Sequence, residues 1–290
     1  MIQERDLAKM QRRMFVALLA TGVLGWFAPP AKSQCQDRTI VIQQDNAFSN
    51  GIRFFLSAHN TTEATVKFNL DFIQNGTPSH PLPYIFCVSK NFDHYELLRI
   101  TQTVPHQQWH FGPYTYHFVL GAPSNLSTVD YIYSLPYPAS KHFVIGQSYF
   151  GTFTHKKGSP EEYAVDINMP EGTPVLAARQ GTVIACRSDS DSGGNSEKYK
   201  DSANYITVKH NDGTYAAYVH LKKDGVAVKT GQAVSSGTLL GYSGQTGFVS
   251  CPHLHFMVYR VLPAPVIQTI AFRTRTTEGV IPQLLQGQSY

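Results

Sequence analysis

Charge is scarce in this chain. Asp, Glu, Lys and Arg make up 15% of it, against an apolar share of 42%. That balance belongs to a folded protein and excludes an extended charged one. A cationic surplus is missing as well. Residues 1–33 hold five of the 24 Lys and Arg and two of the 20 Asp and Glu. The remainder is nearly neutral, so no basic patch argues for nucleic acid. No membrane-spanning run is evident: the uncharged apolar stretch Met14 to Phe27 has fourteen residues, short of the ~20 that a helix needs to cross a bilayer. The chain also has no His-Glu-x-x-His helix, which excludes that route to a metal site. Cysteine is limited to four residues, too few for a disulfide-built miniature fold.

What is present begins with a leader. Arg5, Lys9, Arg12 and Arg13 precede the apolar stretch, Pro29-Pro30 breaks it, and Ala31-Lys32-Ser33 supplies small residues near a cleavage point. Residues 1–33 therefore read as a signal peptide, with an uncleaved N-terminal anchor as the alternative. Secretion, or a periplasmic location, follows from that reading. Four cysteines in a secreted chain suggest two disulfides, and pairing within each half, Cys35 with Cys87 and Cys186 with Cys251, is simplest. Cys251 as a metal ligand is the competing possibility. Gln34 before Cys35 is a poor match to a lipid-anchor signal.

Sixteen Tyr and seventeen Phe, with many Thr and Val, favour strands. The expected fold class is all-β. Seven short strands between Thr39 and Tyr133, punctuated by Asn50-Gly51, Asn75-Gly76-Thr77-Pro78 and Gly121-Ala122-Pro123, predict a β-sandwich accessory domain over 34–137, with an immunoglobulin-like arrangement as one form of it. Val66, Phe68, Leu70 and Phe72 alternate with polar residues, as one half-buried strand would. His106, His110 and His117 are scattered and read as structural. Pro136 and Pro138 mark a boundary. A second, antiparallel β domain follows over 138–262, then a strand and polar tail over 263–290.

The second domain carries the chemistry. In Cys251-Pro252-His253-Leu254-His255-Phe256-Met257-Val258-Tyr259, a period of two sends His253 and His255 to one face and Leu254, Phe256 and Val258 to the other. Asp166 sits mid-strand in Tyr163-Ala164-Val165-Asp166-Ile167, where a carboxylate needs a partner. The turn Asn211-Asp212-Gly213 predicts a hairpin. Its second strand places His220 on a face with Tyr218 and Ala216, while His210 lies at the turn and reads as structural. Arg187 to Ala203 is a long polar loop, read as a flexible cleft wall. Three ligands drawn from His and Asp would leave a zinc ion one position for water, as a catalytic site does.

Taken together and in order, Thr154-His155, Tyr163 to Asp166, Pro170-Glu171-Gly172-Thr173-Pro174-Val175, Tyr218-Val219-His220-Leu221 and Pro252 to Phe256 resemble the motifs of the lysostaphin/LytM-type zinc metallopeptidases. The resemblance covers roughly Lys141 to Arg260. It implies a compact antiparallel domain with one zinc per chain, held by His155, Asp166 and His255, and catalytic histidines at His220 and His253. It also implies endopeptidase activity on peptidoglycan peptides. Two departures stand out: ten residues separate His155 from Asp166 where the family has three, and Ser250-Cys251 replaces a Gly-rich lead-in. A non-catalytic wall-binding module or regulator, and a zinc hydrolase of other proteins, are the competing functions.

Overall fold

Alternation builds the first half. In the strand Ala64–Leu70, Val66, Phe68 and Leu70 are buried while Lys67 and Asn69 are partly exposed, so one face is apolar and must be covered. The computed structural model describes residues 35, 39–46, 50–59, 61–89, 91–124, 130–264 and 266–290. The leader expected at 1–33 lies outside them. Among the described residues, no helix is long and apolar enough to cross a membrane.

We label the N-terminal strands β1 (Thr39–Asp45), β2 (Gly51–His59), β3 (Ala64–Leu70), β4 (Tyr84–Val88), β5 (Phe92–Gln102) and β6 (Tyr114–Leu120). One sheet runs β1-β2-β5, extended by Gly76–Pro78, and the other runs β4-β3-β6. Their apolar faces meet. Phe54 of β2 lies 4.9 Å from Phe68 of β3 and 5.2 Å from Tyr114 of β6, ring centre to ring centre. The hydroxyls of Tyr114 and Tyr116 donate to the carbonyls of Ile42 and Ile40 at 3.2 and 3.3 Å. Phe72 does not continue the alternation of β3. The strand ends at Leu70 and Phe72 is 54% exposed. The seventh expected strand, Ile132–Ser134, leaves these sheets to pair in parallel with Arg273–Thr276.

The second half is organised on an eight-stranded sheet. Its members include β7 (Ile145–Gln147), β8 (Val165–Asn168), β9 (Gly181–Arg187), β10 (Tyr205–Lys209), β11 (Tyr215–Val219) and β12 (His253–Leu262), in the order β7-β8-β12-β11-β10-β9. Every pairing along that path is antiparallel. One face of the sheet presents Val165, Ile167, Ile206, Val208, Ala216, Tyr218, Leu254, Phe256 and Val258 to a core shared with Val175, Leu221 and Leu240. At one end of the opposite face, Tyr215, Tyr259 and Val261 join the core of the N-terminal strands.

Polar contacts pin the halves together. Lys209 Nζ lies 2.8 and 2.7 Å from the two oxygens of Glu63, and the Tyr215 hydroxyl donates to Glu63 Oε1 at 2.9 Å. Thr62 N donates to Ile184 O at 3.0 Å. These contacts and the shared core place the described strands in one compact unit, Ser33–Tyr290.

His210 is buried at the hairpin end of β10, and its Nδ1–H donates to Gln180 O at 2.7 Å. Burial pushes its pKa down to about 4. It is therefore neutral, in keeping with a structural role.

The expected cysteine pairing is overturned. The disulfide joins Cys35 to Cys186, across the two halves, and Cys87 and Cys251 are free and exposed. Pairing within halves fails because strand β9 carries Cys186 on the buried side of the sheet, against Cys35, while Cys251 stays at the surface before β12 begins. The bridge spans 151 residues of sequence, and cross-linking so long a loop restricts the unfolded chain most. Native, non-reducing alkylation with peptide mapping is expected to label Cys87 and Cys251 only. Replacing Cys35 and Cys186 together by Ala should lower stability by about 2–4 kcal/mol in denaturant titration.

Candidate metal centre and active-site groove

Strand register brings the first two groups together. Asp166 stands directly opposite His255 across β8 and β12, and Asn168 opposite His253. Because strand side chains alternate, the residues that fall between, Leu254 and Phe256, point into the core while His253 and His255 face a groove.

His155 reaches the same point from a loop. Backbone turns at 156–159, 159–162 and 161–164 fold the ten intervening residues back on themselves, so the long spacing from Asp166 is taken up locally. His155 is fully buried. Its Nδ1–H donates to Ser148 O at 3.3 Å, which turns Nε2 toward Asp166 Oδ1 at 3.4 Å and His255 Nδ1 at 3.4 Å. His255 Nδ1 is 2.9 Å from Asp166 Oδ1. The three residues each offer one donor atom, all within 4.8 Å of one another. Burial pushes the Asp166 carboxyl up, but hydrogen bonds from His155 and His255 outweigh that and hold it well below the usual carboxylate range. Asp166 is ionised. Two imidazole nitrogens and an ionised carboxylate are a donor set that suits zinc.

His220 and His253 complete the cluster, with ring centres 4.7 Å apart. His253 Nδ1–H donates to Cys251 O at 2.9 Å, and His220 Nδ1–H to Thr246 O at 2.7 Å. Each backbone carbonyl selects the tautomer and leaves Nε2 as the unprotonated nitrogen. Burial, then the neighbouring His253 and His255, push His220 down to about 3. Burial also lowers His253, against the opposing pull of Asp166. Both rings are neutral and able to accept a proton.

One expectation about His220 fails. It does not share a face with Tyr218 and Ala216, which point into the opposite core. Strand β11 ends at Val219, and His220 has φ of +67°, a conformation that side chains rarely adopt. That reversal breaks the period of two and turns the ring into the groove. The polar loop 187–203 contains short elements and hydrogen bonds of its own. The Asn204 side chain ties it to Ser190 and Leu221, Gly193 and Gly194 pair with Gly247 and Phe248, and Glu197–Ser202 forms a turn of 3-10 helix. Cys251, considered as a ligand, is exposed and lies outside the group of converging donors among the described residues.

Sequence reasoning missed Gln147. Its Oε1 accepts from the backbone N–H of Phe153 and Thr154, both at 3.1 Å, and its Nε2 donates to Asp166 Oδ2 at 3.0 Å and Thr154 Oγ1 at 2.9 Å. One amide thus holds the loop that carries His155 and the far oxygen of Asp166. A β-carbon at Gly151 would collide with this side chain, so the glycine leaves the amide its space. Nothing in the sequence marks Gln147, because its partners come from two other segments, residues 153–154 and Asp166.

These groups open onto a groove of about 530 Å³. Phe153 and Phe248 stack at its edge with centres 5.9 Å apart, and Glu161, Glu197 and Lys200 line it. Fold and site together define an all-β domain with a histidine–carboxylate cluster at the bottom of a groove.

Residues 160–266 match the family described as Peptidase family M23, and this part of the chain is a domain of that family. The match begins after His155. Over 123 residues the chain is 33% identical to the peptidoglycan DD-endopeptidase ShyA of Vibrio cholerae, an alignment covering 41% of this chain and 26% of that protein. Over 95 residues it is 38% identical to the glycyl-glycine endopeptidase ALE-1 of Staphylococcus capitis, covering 32% of this chain and 23% of that one. Among solved structures, the catalytic domain of lysostaphin from Staphylococcus simulans is 27% identical, with 46% of this chain and 94% of that chain covered and a TM-score of 0.31. The chain thus spans about a quarter of the length of these two curated relatives.

Gln147→Ala is expected to weaken binding of a divalent metal by ~10–100-fold, the usual cost of losing a partner that orients a metal ligand. Competition against a chromophoric chelator measures this. Far-UV circular dichroism should stay unchanged.

Proposed function

We propose that this chain is a zinc-dependent endopeptidase that hydrolyses peptide bonds of peptidoglycan in the bacterial cell envelope, reached by secretion. The observation that carries the reading is the convergence of His155, Asp166 and His255 within 4.8 Å, with two neutral histidines beside them in an open groove. In this reading His155 Nε2, an Asp166 oxygen and His255 Nδ1 hold one zinc ion. When bound, the metal supplies a Lewis acid and lowers the pKa of a coordinated water to ~7. The endopeptidase names of the relatives support the substrate class.

The remaining steps belong to the protein. His220 and His253 each present a bare Nε2, and one of them takes the proton released as water attacks the scissile carbonyl. The Nε2–H so formed donates to the developing oxyanion and then passes its proton to the departing amine. The Asp166 oxygen not facing the histidines accepts from Gln147 Nε2 at 3.0 Å, which fixes the carboxylate's orientation. The His155 ring is held by Ser148 O through Nδ1, the nitrogen not offered to the metal, which limits the reorganisation needed as charge develops.

The test combines metal content and hydrolysis on the same samples. Purified sacculi should release peptide fragments with the zinc-loaded protein and not after chelation. His255→Ala should lose the metal. His220→Ala and His253→Ala should keep it near the wild-type level while turnover falls ~10²-fold or more. Zinc loss in His253→Ala together with retention in His255→Ala would exchange the two roles. Wild-type turnover in both His220→Ala and His253→Ala would overturn the mechanism. Binding of sacculi by a zinc-loaded protein that releases nothing would favour a non-catalytic wall-binding module.

A further inference from the structure

A second chamber, of about 300 Å³, adjoins the groove on the same face of the central sheet and shares Lys200, Ala203, Val219 and Met257 with it. Cross-strand register explains its position. The row that holds His255 continues through Val219 and Tyr205, and the next row on that face is Met257, Ala217 and Thr207. Ala217 and Thr207 are small, so this second row is a shallow floor. The far wall is not part of the matched peptidase domain at all: it is Phe118 and Leu120 of β6, from the N-terminal half. The Tyr259 hydroxyl donates to Leu120 O at 3.1 Å and closes that end.

Same-face neighbours along a strand are two residues, or ~6.8 Å, apart. An extended peptide whose scissile carbonyl lies over the His255 row therefore places a side chain two residues away over the Ala217 row. We propose that this chamber is a substrate subsite for an apolar side chain two residues from the scissile bond, with its outer wall supplied by the N-terminal strands. The proposal rests on the endopeptidase reading for its occupant, and its geometry follows from the sheet. It gives the N-terminal half a direct part in substrate selection. Arg187, Lys200 and Asp201 line one side of the chamber, while the floor of Ala217 and Met257 and the wall of Phe118 and Leu120 are apolar, so an aliphatic or aromatic side chain resting between floor and wall is the chemistry selected.

The probes are three peptides: acetyl-Leu-Gly-Gly-Gly-amide, acetyl-Gly-Gly-Gly-Leu-amide and acetyl-tetraglycine-amide. The two leucine peptides place the side chain on either side of the central bond. Affinity is measured by calorimetry and cleavage by mass spectrometry, both on the full zinc-loaded chain. One leucine peptide should bind about tenfold or more tightly than tetraglycine, the scale of burying one aliphatic side chain. Ala217→Leu fills the chamber from its floor and should abolish that preference with zinc content and affinity for tetraglycine unchanged. Phe118→Ala, which removes wall surface without adding bulk to the floor, should reduce it and guards against a folding defect in the first variant. Equal affinity of all three peptides for the wild type, or a preference that survives Ala217→Leu, overturns the subsite. Preferential binding of a leucine peptide without cleavage of any probe would support the subsite and count against the endopeptidase reading instead.

Discussion

The structure of the site depends on one constraint: a carboxylate in the middle of a strand has been removed from most of its water. Asp166 keeps a side-chain exposure of 15%, and an unpaired charge there would be strongly unfavourable. Its surroundings answer that cost. His255 faces it across the sheet, His155 approaches from a loop, and Gln147 occupies its second oxygen. Each of these partners is then held in turn, His155 by Ser148 and Gln147 by the backbone of residues 153 and 154. Removing the carboxylate would leave buried imidazoles with no common partner, so the cluster and the loop that carries His155 stand or fall together.

The two halves of the molecule are more interdependent than a tandem of domains. Glu63 receives both Lys209 and Tyr215, and the Cys35–Cys186 bridge ties Cys35 to the central sheet. Tyr215, Tyr259 and Val261 belong to the same core as the N-terminal strands. The face of the sheet that carries the histidines is therefore covered at one end and open at the other. Where the groove lies, and what bounds it, follows from that coverage.

The histidine rows show how a flat pattern becomes a site. Strand alternation separates His253 and His255 from Leu254 and Phe256 with no further device. His220 needs one: a left-handed residue at the end of β11 that departs from the alternation and rotates the ring toward His253. Backbone carbonyls of Cys251 and Thr246 then select the tautomers. Strain at one residue is tolerated because the carbonyl of Thr246 and the rings of His253 and His255 over-determine its position.

Much of this was legible in the sequence. A strand period of two is local, so the core-facing Leu254 and Phe256 and the groove-facing His253 and His255 could be read directly, as could the all-β class and the need of Asp166 for a partner. The ordered motifs by themselves resemble those of the lysostaphin/LytM-type metallopeptidases. What the sequence could not determine depends on contacts between distant segments. Cys35 meets Cys186 because both are buried in the core under one face of the central sheet, not because of any spacing. Gln147 matters only where three segments converge. Ile132–Ser134 pairs with residues 273–275, in place of the sandwich strand expected at Tyr131 to Tyr133. His220 escapes the period because φ is set by the fold around it. Periodicity reports which side a residue takes relative to its own strand; only the packing of strands against one another decides what waits on that side.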